Sequence, residues 1–321
     1  MTVEKVSYEE IMEDYFFSKY LRPATEWSYQ KVLKSFIKFT GPDVSPADVD
    51  KKMVLIWRRE VLTEMKLSRR TWNNKVAHMR AIFNHALKKG MLPAGDNPFN
   101  GVVTRPDIKR KKTLTTNQMS SIYLVMKSYE EAERLGTVQH PRRCALLPAW
   151  YWLTVLDTLK YTGMRQNQLL NLKLSDVNLE AGTITLRAET AKNHREHAVP
   201  IVQALYSGLQ TLYDRSLERE AKPEDPLFHV ARFSGRKEPL PGDMDPQPLR
   251  AFFRRLSREC RSEISPHRFR HTIATNMMNS PDRNLRTVQA LLGHSTVNVT
   301  LEYVEGNLDA MRMAVEEVFA V

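Results

Sequence analysis

Between residues 7 and 107 the apolar positions recur at helical spacing, one amphipathic segment after another. The stretch SYEEIMEDYFFSKYL (7–21) opens on a serine and has acidic residues in its first turn, where exposed backbone N–H groups favour negative charge. In ATEWSYQKVLKSFIKFT (24–40) Trp27, Val32, Leu33, Phe36 and Ile37 form one stripe, ended by Gly-Pro-Asp. SPADVDKKMVLIWRREVLTEM (45–65) has a Ser-Pro start, and Ser68 opens a further helix that Gly90 closes. These segments predict a bundle of four or five helices.

Periodicity then lapses. TRPDIKRKKT (104–113) holds a proline, four consecutive basic residues and no apolar stripe, as a basic linker does. Helical spacing returns at LTTNQMSSIYLVM (114–126) and continues to about residue 174. AGTITLRAE (181–189) and EHAVPI (196–201) alternate with period two around the polar turn TAKNHR, a β-hairpin. Helices resume over 201–219, an irregular Pro/Gly-rich stretch covers 222–246, and helices run to the end. The expected fold is mainly α: a helical bundle over 1–107, the linker 104–113, and an α+β unit over 114–321, mostly helical with a small antiparallel sheet.

Composition adds a partner. The formal charge is +11 and the isoelectric point about 9.6, which points to a polyanion. Residues 1–113 hold 22 basic against 13 acidic side chains, a net +9, and the remainder 26 against 24, a net +2. The first unit is therefore the expected grip on nucleic acid. Within its last helix Arg69, Arg70, Asn73, Lys75 and Arg80 alternate with Trp72, Val76, Met79 and Phe83, so one face can pack inward while the other meets phosphates and base edges. Lys109, Arg110, Lys111 and Lys112 of the linker can follow a DNA backbone. Two distant cysteines, Cys144 and Cys260, suit a reducing cytoplasm and argue against a disulfide framework or zinc site. No signal-peptide pattern opens the chain, and the apolar run CALLPAWYWLTVL (144–156) is too short to span a bilayer; it reads as a buried helix.

Four segments of the second unit carry candidate chemistry. Arg165 follows Thr-Gly-Met at a helix start; Lys192 sits at the hairpin turn, with His194 and Arg195 close by. SPHRFRHTIAT (265–275) sets His267 and Arg270 one helical turn apart, and LLGHSTVNVTLEYVE (291–305) holds His294 and Tyr303. Two arginines can grip the non-bridging oxygens of a phosphodiester as charge grows on them. A lysine can protonate a departing 5′-oxygen, histidines can relay protons, and a tyrosine can attack phosphorus. No carboxylate cluster suited to magnesium accompanies them, so a route without metal or cofactor is expected.

In order and spacing, TGMR, the hairpin lysine, HRFRH, LGHS and the tyrosine nine residues after His294 resemble the tyrosine recombinase (phage integrase) family. The likeness extends over nearly the whole chain, since the basic bundle resembles that family's SAM-like core-binding domain. It implies that Arg165, Lys192, His267, Arg270 and His294 stabilise charge and move protons. It also implies that Tyr303 forms a 3′-phosphotyrosyl link and frees a 5′-hydroxyl; Tyr303 serves either its own subunit's site or a neighbour's, and its own is expected. Further implications are double-stranded DNA recombination sites as substrate, a homo-tetramer on DNA, a Holliday junction, a C-shaped clamp of two domains, accessory DNA-bending or directionality factors, and a cytoplasmic, nucleoid-associated location without membrane. One departure stands out: Gln168 occupies a position that is commonly acidic in the family, and it can accept a hydrogen bond but brings no negative charge.

His271, which completes HRFRH, is expected either to support the structure or to stand behind the groups that touch the phosphate. Met311, Val315, Val318 and Phe319 form a terminal helical stripe that packs either on its own unit or on a neighbouring protomer. With helices beginning at residue 7, no separate arm-binding domain is expected ahead of them. The expected activity is integration or excision of a phage or mobile element. Alternatives are an Xer-like chromosome-dimer resolvase, a DNA invertase, a type IB topoisomerase and a DNA-binding regulator without cleavage, the last disfavoured because all six catalytic positions are filled.

Overall fold

A computed structural model describes residues 6–105, 107, 112–190, 196–233, 245–280, 284–301 and 303. The chain divides into two compact units, Met1–Arg110 and Lys111–Val321. Lys109, Arg110, Lys111, Lys192 and the expected terminal helix lie outside the described residues.

The first unit holds α1 (Tyr8–Lys19), α2 (Pro23–Thr40), α3 (Lys51–Arg59), which runs on as a π-helical turn Glu60–Glu64, and α4 (Arg69–Lys88). Local chemistry sets the starts. Ser7 and Glu10 cap α1 reciprocally, and Ser68 Oγ accepts from Thr71 N at α4. The Ser-Pro pair at 45–46 forms only a short 3-10 turn, and α3 begins later because Asp50 caps it, accepting from Met53 N at 2.7 Å. The core is aromatic: Phe36 packs on Trp57 at 4.8 Å between ring centres, Trp57 on Trp72 at 5.2 Å and Phe83 on Phe99 at 5.0 Å.

The polar face of α4 divides its labour. Asn73 exchanges hydrogen bonds with the Thr104 backbone and so ties down the segment after the bundle. Lys75 donates to Ser35 Oγ at 2.7 Å and lies 5.2 Å over the Trp57 ring; burial holds its pKa below the ordinary lysine range. Arg69 and Arg70 are exposed and Arg80 half-exposed, Arg69 lying 3.6 Å from Asp107. Two of the five expected DNA contacts are therefore already engaged inside the unit, and three present side chains to solvent.

The second unit is built on α6 (Ala149–Thr162), the helix expected from the apolar run. It is buried on most sides and packed against α5 (Thr116–Arg134), α8 (Gln203–Leu217) and α10 (Pro266–Asn279). Its buried threonines cost little: the hydroxyls of Thr154, Thr158 and Thr162 each donate to the carbonyl four residues back. Trp152 stacks on Phe252 of α9 (Pro246–Glu259) at 4.2 Å. The hairpin is present as β2 (Thr183–Leu186) and β3 (His197–Pro200), antiparallel with Ile184 opposite Val199. A short β1 (Val177–Asn178), too brief to alternate legibly, pairs with β2 to give the order β1-β2-β3. The short α7 (Gln166–Leu170), α11 (Leu285–Leu292) and α12 (Val297–Leu301) complete the described part. No described helix is long and apolar enough to cross a membrane.

Candidate active site

Three helix termini converge. Gly163 ends α6 in the left-handed region at φ 61°, which turns the chain so that Arg165 stands at the start of α7. A β-carbon on Gly163 would lie 2.8 Å from Ile273 Cγ2, so only glycine lets α6 approach α10 this closely. Gly293 ends α11 at φ 59°, and a β-carbon there would fall 2.4 Å from the His197 ring of β3. Gly293→Ala is thus expected to destabilise the protein by about 1–3 kcal/mol, from strain and overpacking together. Urea unfolding checks this; an unchanged midpoint contradicts the close packing.

Arg270 fills the space these turns create. It is buried, and its guanidinium donates to Gly163 O at 2.7 Å, to Leu292 O at 2.8 Å and to His294 Nε2 at 2.8 Å. An arginine can only donate, so His294 Nε2 accepts; its Nδ1 then carries the proton and donates to the buried Thr300 hydroxyl at 2.9 Å. Both nitrogens of His294 are engaged within the protein, and its role in this arrangement is to hold Arg270. Burial, with the nearby Arg165 charge second, pushes the Arg270 pKa down to about 10, still well above neutrality.

Arg165 is held differently. Its backbone N–H donates to Gln168 Oε1 at 2.8 Å, the position that the family likeness reads as acidic. Gln168 is buried, and its Nε2 has no partner among the described residues; the same holds for buried Arg165 Nη1. Burial lowers the Arg165 pKa, with the Tyr303 hydroxyl acting the other way. A buried cationic nitrogen without an acceptor is what an incoming anion would complete.

Tyr303 follows α12 directly, its N–H donating to Thr300 O at 3.0 Å. The side chain is only 3% exposed and packs in a small cluster with Ala274, Met278, Val288 and Leu292. Its ring stacks on His294 at 5.9 Å with an 8° interplanar angle. Its hydroxyl lies 3.0 Å from His271 Nδ1. His271 is one turn beyond His267 on α10, and their rings stack at 6.2 Å. His267 is exposed at the rim; partial desolvation, then the Arg270 and Arg165 charges, hold its pKa below the ordinary histidine value.

Five of the six expected catalytic residues are described, and they form one site in one chain: Arg165, His267, Arg270, His294 and Tyr303 share contacts or electrostatic coupling. One participant, Thr300, gives no signal of its own in the sequence. His271 reads there only as a supporting residue, although its i,i+4 spacing from His267, which puts both on one helix face, is the signal that ties it to the site.

Residues 112–308 match the model described as the phage integrase family, and residues 7–102 the phage integrase SAM-like domain. A Pseudomonas aeruginosa protein described as tyrosine recombinase XerC is 33% identical over 95% of this chain and 70% of its own length. A Pseudomonas syringae protein of the same description is 32% identical over 96% of this chain and 63% of its own. Among solved structures, the Tn1549 transposon integrase in complex with transposon right-end DNA superposes with a TM-score of 0.72 at 17% identity, covering 98% of this chain and 99% of that one.

Proposed function

The chain belongs to the phage integrase family, and on that premise we propose that it is a site-specific DNA recombinase that joins Tyr303 to a 3′-phosphate and later passes the strand to a partner 5′-hydroxyl. The observation that carries this reading is the Tyr303 hydroxyl beside buried Arg270 and half-buried Arg165, the latter with a buried, unpartnered nitrogen.

The residues divide the work. Arg270, fixed by two carbonyls and His294, is preorganised to receive a non-bridging oxygen without reorganising. Arg165 brings the second guanidinium, and the two together offset the charge of the pentacoordinate transition state. Lys192 is assigned protonation of the departing 5′-oxygen. The phosphotyrosyl link conserves bond energy, so rejoining needs no external energy source. Arg69, Arg70, Arg80 and the linker lysines are assigned to phosphate contacts, with a homo-tetramer holding two sites together and accessory bending or directionality factors setting the outcome. Integration or excision of a mobile element is the preferred role. The XerC description of the two relatives favours resolution of chromosome dimers as the second reading.

Trapping covalent complexes on fragmented genomic DNA and sequencing the attached ends tests the reading. The expected product is protein linked through a 3′-phosphate at recurring sites, with a free 5′-hydroxyl opposite. A 5′ linkage, or no adduct, overturns it. Recombination between two recovered sites on one plasmid, inverted or direct, then separates integration, resolution and inversion.

A proton effect follows from the charges. His267 is depressed first by desolvation and then by the Arg270 and Arg165 charges; a phosphodiester entering between the arginines offsets the second part and adds its own negative charge, so binding is expected to raise the His267 pKa. The complex is therefore expected to take up protons near neutral pH and to bind more tightly as pH falls through the histidine range. Calorimetry in buffers of different ionisation enthalpy measures this; proton release would contradict it.

A further inference from the structure

We propose that His271 is a catalytic residue, the general base that takes the Tyr303 proton as that oxygen attacks phosphorus. The inference rests on the reading of Tyr303 as nucleophile. It assigns a step which that reading leaves open, namely where the phenol's proton goes.

The geometry narrows the acceptor. A base must lie within hydrogen-bond reach of the proton it removes, and His271 Nδ1 is 3.0 Å from the Tyr303 hydroxyl. The other two histidines are occupied or too far. His294 Nε2 accepts from Arg270 and its Nδ1 donates to Thr300, so both of its nitrogens are engaged while its ring stacks on the tyrosine. His267 touches the His271 ring but, among the described contacts, nothing of Tyr303. Arg270 and Arg165 can only donate, and their charges favour oxygen in its deprotonated form. In the proposed arrangement the phenol donates to His271 Nδ1, and the neutral ring carries its proton on Nε2.

The step balances within the site. The Tyr303 Oη–P bond forms while the phenolic proton passes to His271 Nδ1, leaving an imidazolium. The P–O5′ bond breaks with its electron pair on oxygen, which takes a proton from the acid assigned to Lys192. On rejoining, the incoming 5′-hydroxyl loses its proton to that lysine, and the imidazolium returns its own to the departing phenol. The placement on α10 suits this shuttle: Arg270 and His271 are adjacent, so one helix presents both the phosphate ligand and the base.

The test uses the full-length protein on a nicked site that traps the covalent complex. His271→Ala and His271→Asn are expected to slow single-turnover cleavage by about 10²–10⁴-fold. Asparagine is the sharper variant because it can still accept a hydrogen bond near the Nδ1 position but cannot carry the proton. Placing the more acidic 2,3,5-trifluorotyrosine at 303 is expected to recover most of the rate lost in His271→Asn. DNA affinity and thermal unfolding of His271→Asn are expected to match the parent. Cleavage by His271→Asn at the parent rate, or a defect that the acidic tyrosine does not relieve, overturns the proposal and leaves His271 a packing residue. A parent protein that cleaves its site but whose adduct maps to a residue other than Tyr303 overturns the recombinase assignment itself, and is told apart from the other outcomes by peptide mapping.

Discussion

Tyr303→Phe is expected to eliminate the covalent protein–DNA complex, lowering cleavage by at least about 10³-fold, while DNA affinity and thermal stability stay near those of the parent. Only one oxygen is removed, and the ring that packs against His294 and the Met278–Leu292 cluster remains. The hydrogen bond lost to His271 is partly exposed to solvent on the histidine side, so its loss costs only about 1 kcal/mol. Cleavage is read by gel-retarded adduct on a nicked site, affinity by titration, and stability by thermal unfolding. Persistence of a normal amount of adduct removes Tyr303 from the chemistry. A large fall in melting temperature would instead say that the hydroxyl is structural.

The second large effect separates two arginines that the sequence treats alike. Arg165→Met and Arg270→Ala are both expected to lower cleavage by about 10²–10³-fold or more, since each removes a donor aimed at transition-state charge. Their effects on folding should differ. Arg270 satisfies two buried carbonyls and an imidazole, so removing it strands acceptors at about 1–3 kcal/mol each. A melting temperature lower by roughly 5–15 °C is expected in a unit of this size. Arg165 buries a guanidinium nitrogen without a partner and is capped through its backbone, which methionine retains. Its replacement is expected to leave the melting temperature unchanged or raise it. Equal melting shifts for the two variants would contradict the division between a structural and an open arginine.

Gln168 bears on the same contrast. A carboxylate at that position would both accept from the Arg165 backbone and offset its charge; the amide does only the first. The two arginines of this site therefore face a phosphate with less internal compensation, which makes the anion itself the missing partner.

Much of this was legible locally. Helix positions follow from periodicity and caps: Ser7, Ser68, Gly163 and Gly293 each act where their chemistry predicts. The failures have physical causes. Asp50 outcompeted Ser45 as a cap, because both residue types suit that role and only packing of Val54 and Trp57 decides where the helix begins. The partners of Asn73 and Lys75 within the unit were not legible, because a polar helix face looks the same in sequence whether its groups meet phosphate, Thr104 or Ser35. β1 was missed because two residues cannot show alternation.

The sequence by itself determined the helical segments, the basic first unit, and the order of Arg165, Lys192, His267, Arg270, His294 and Tyr303, because period and capping are local properties of neighbouring residues. Only the tertiary structure decided what each described side chain does. The carbonyl that holds Arg270 is 107 residues away at Gly163, and the histidine nearest the Tyr303 hydroxyl is His271, not His267 or His294. Those assignments depend on where three helix ends meet, and no spacing along a chain encodes the direction in which a side chain points once distant segments close around it.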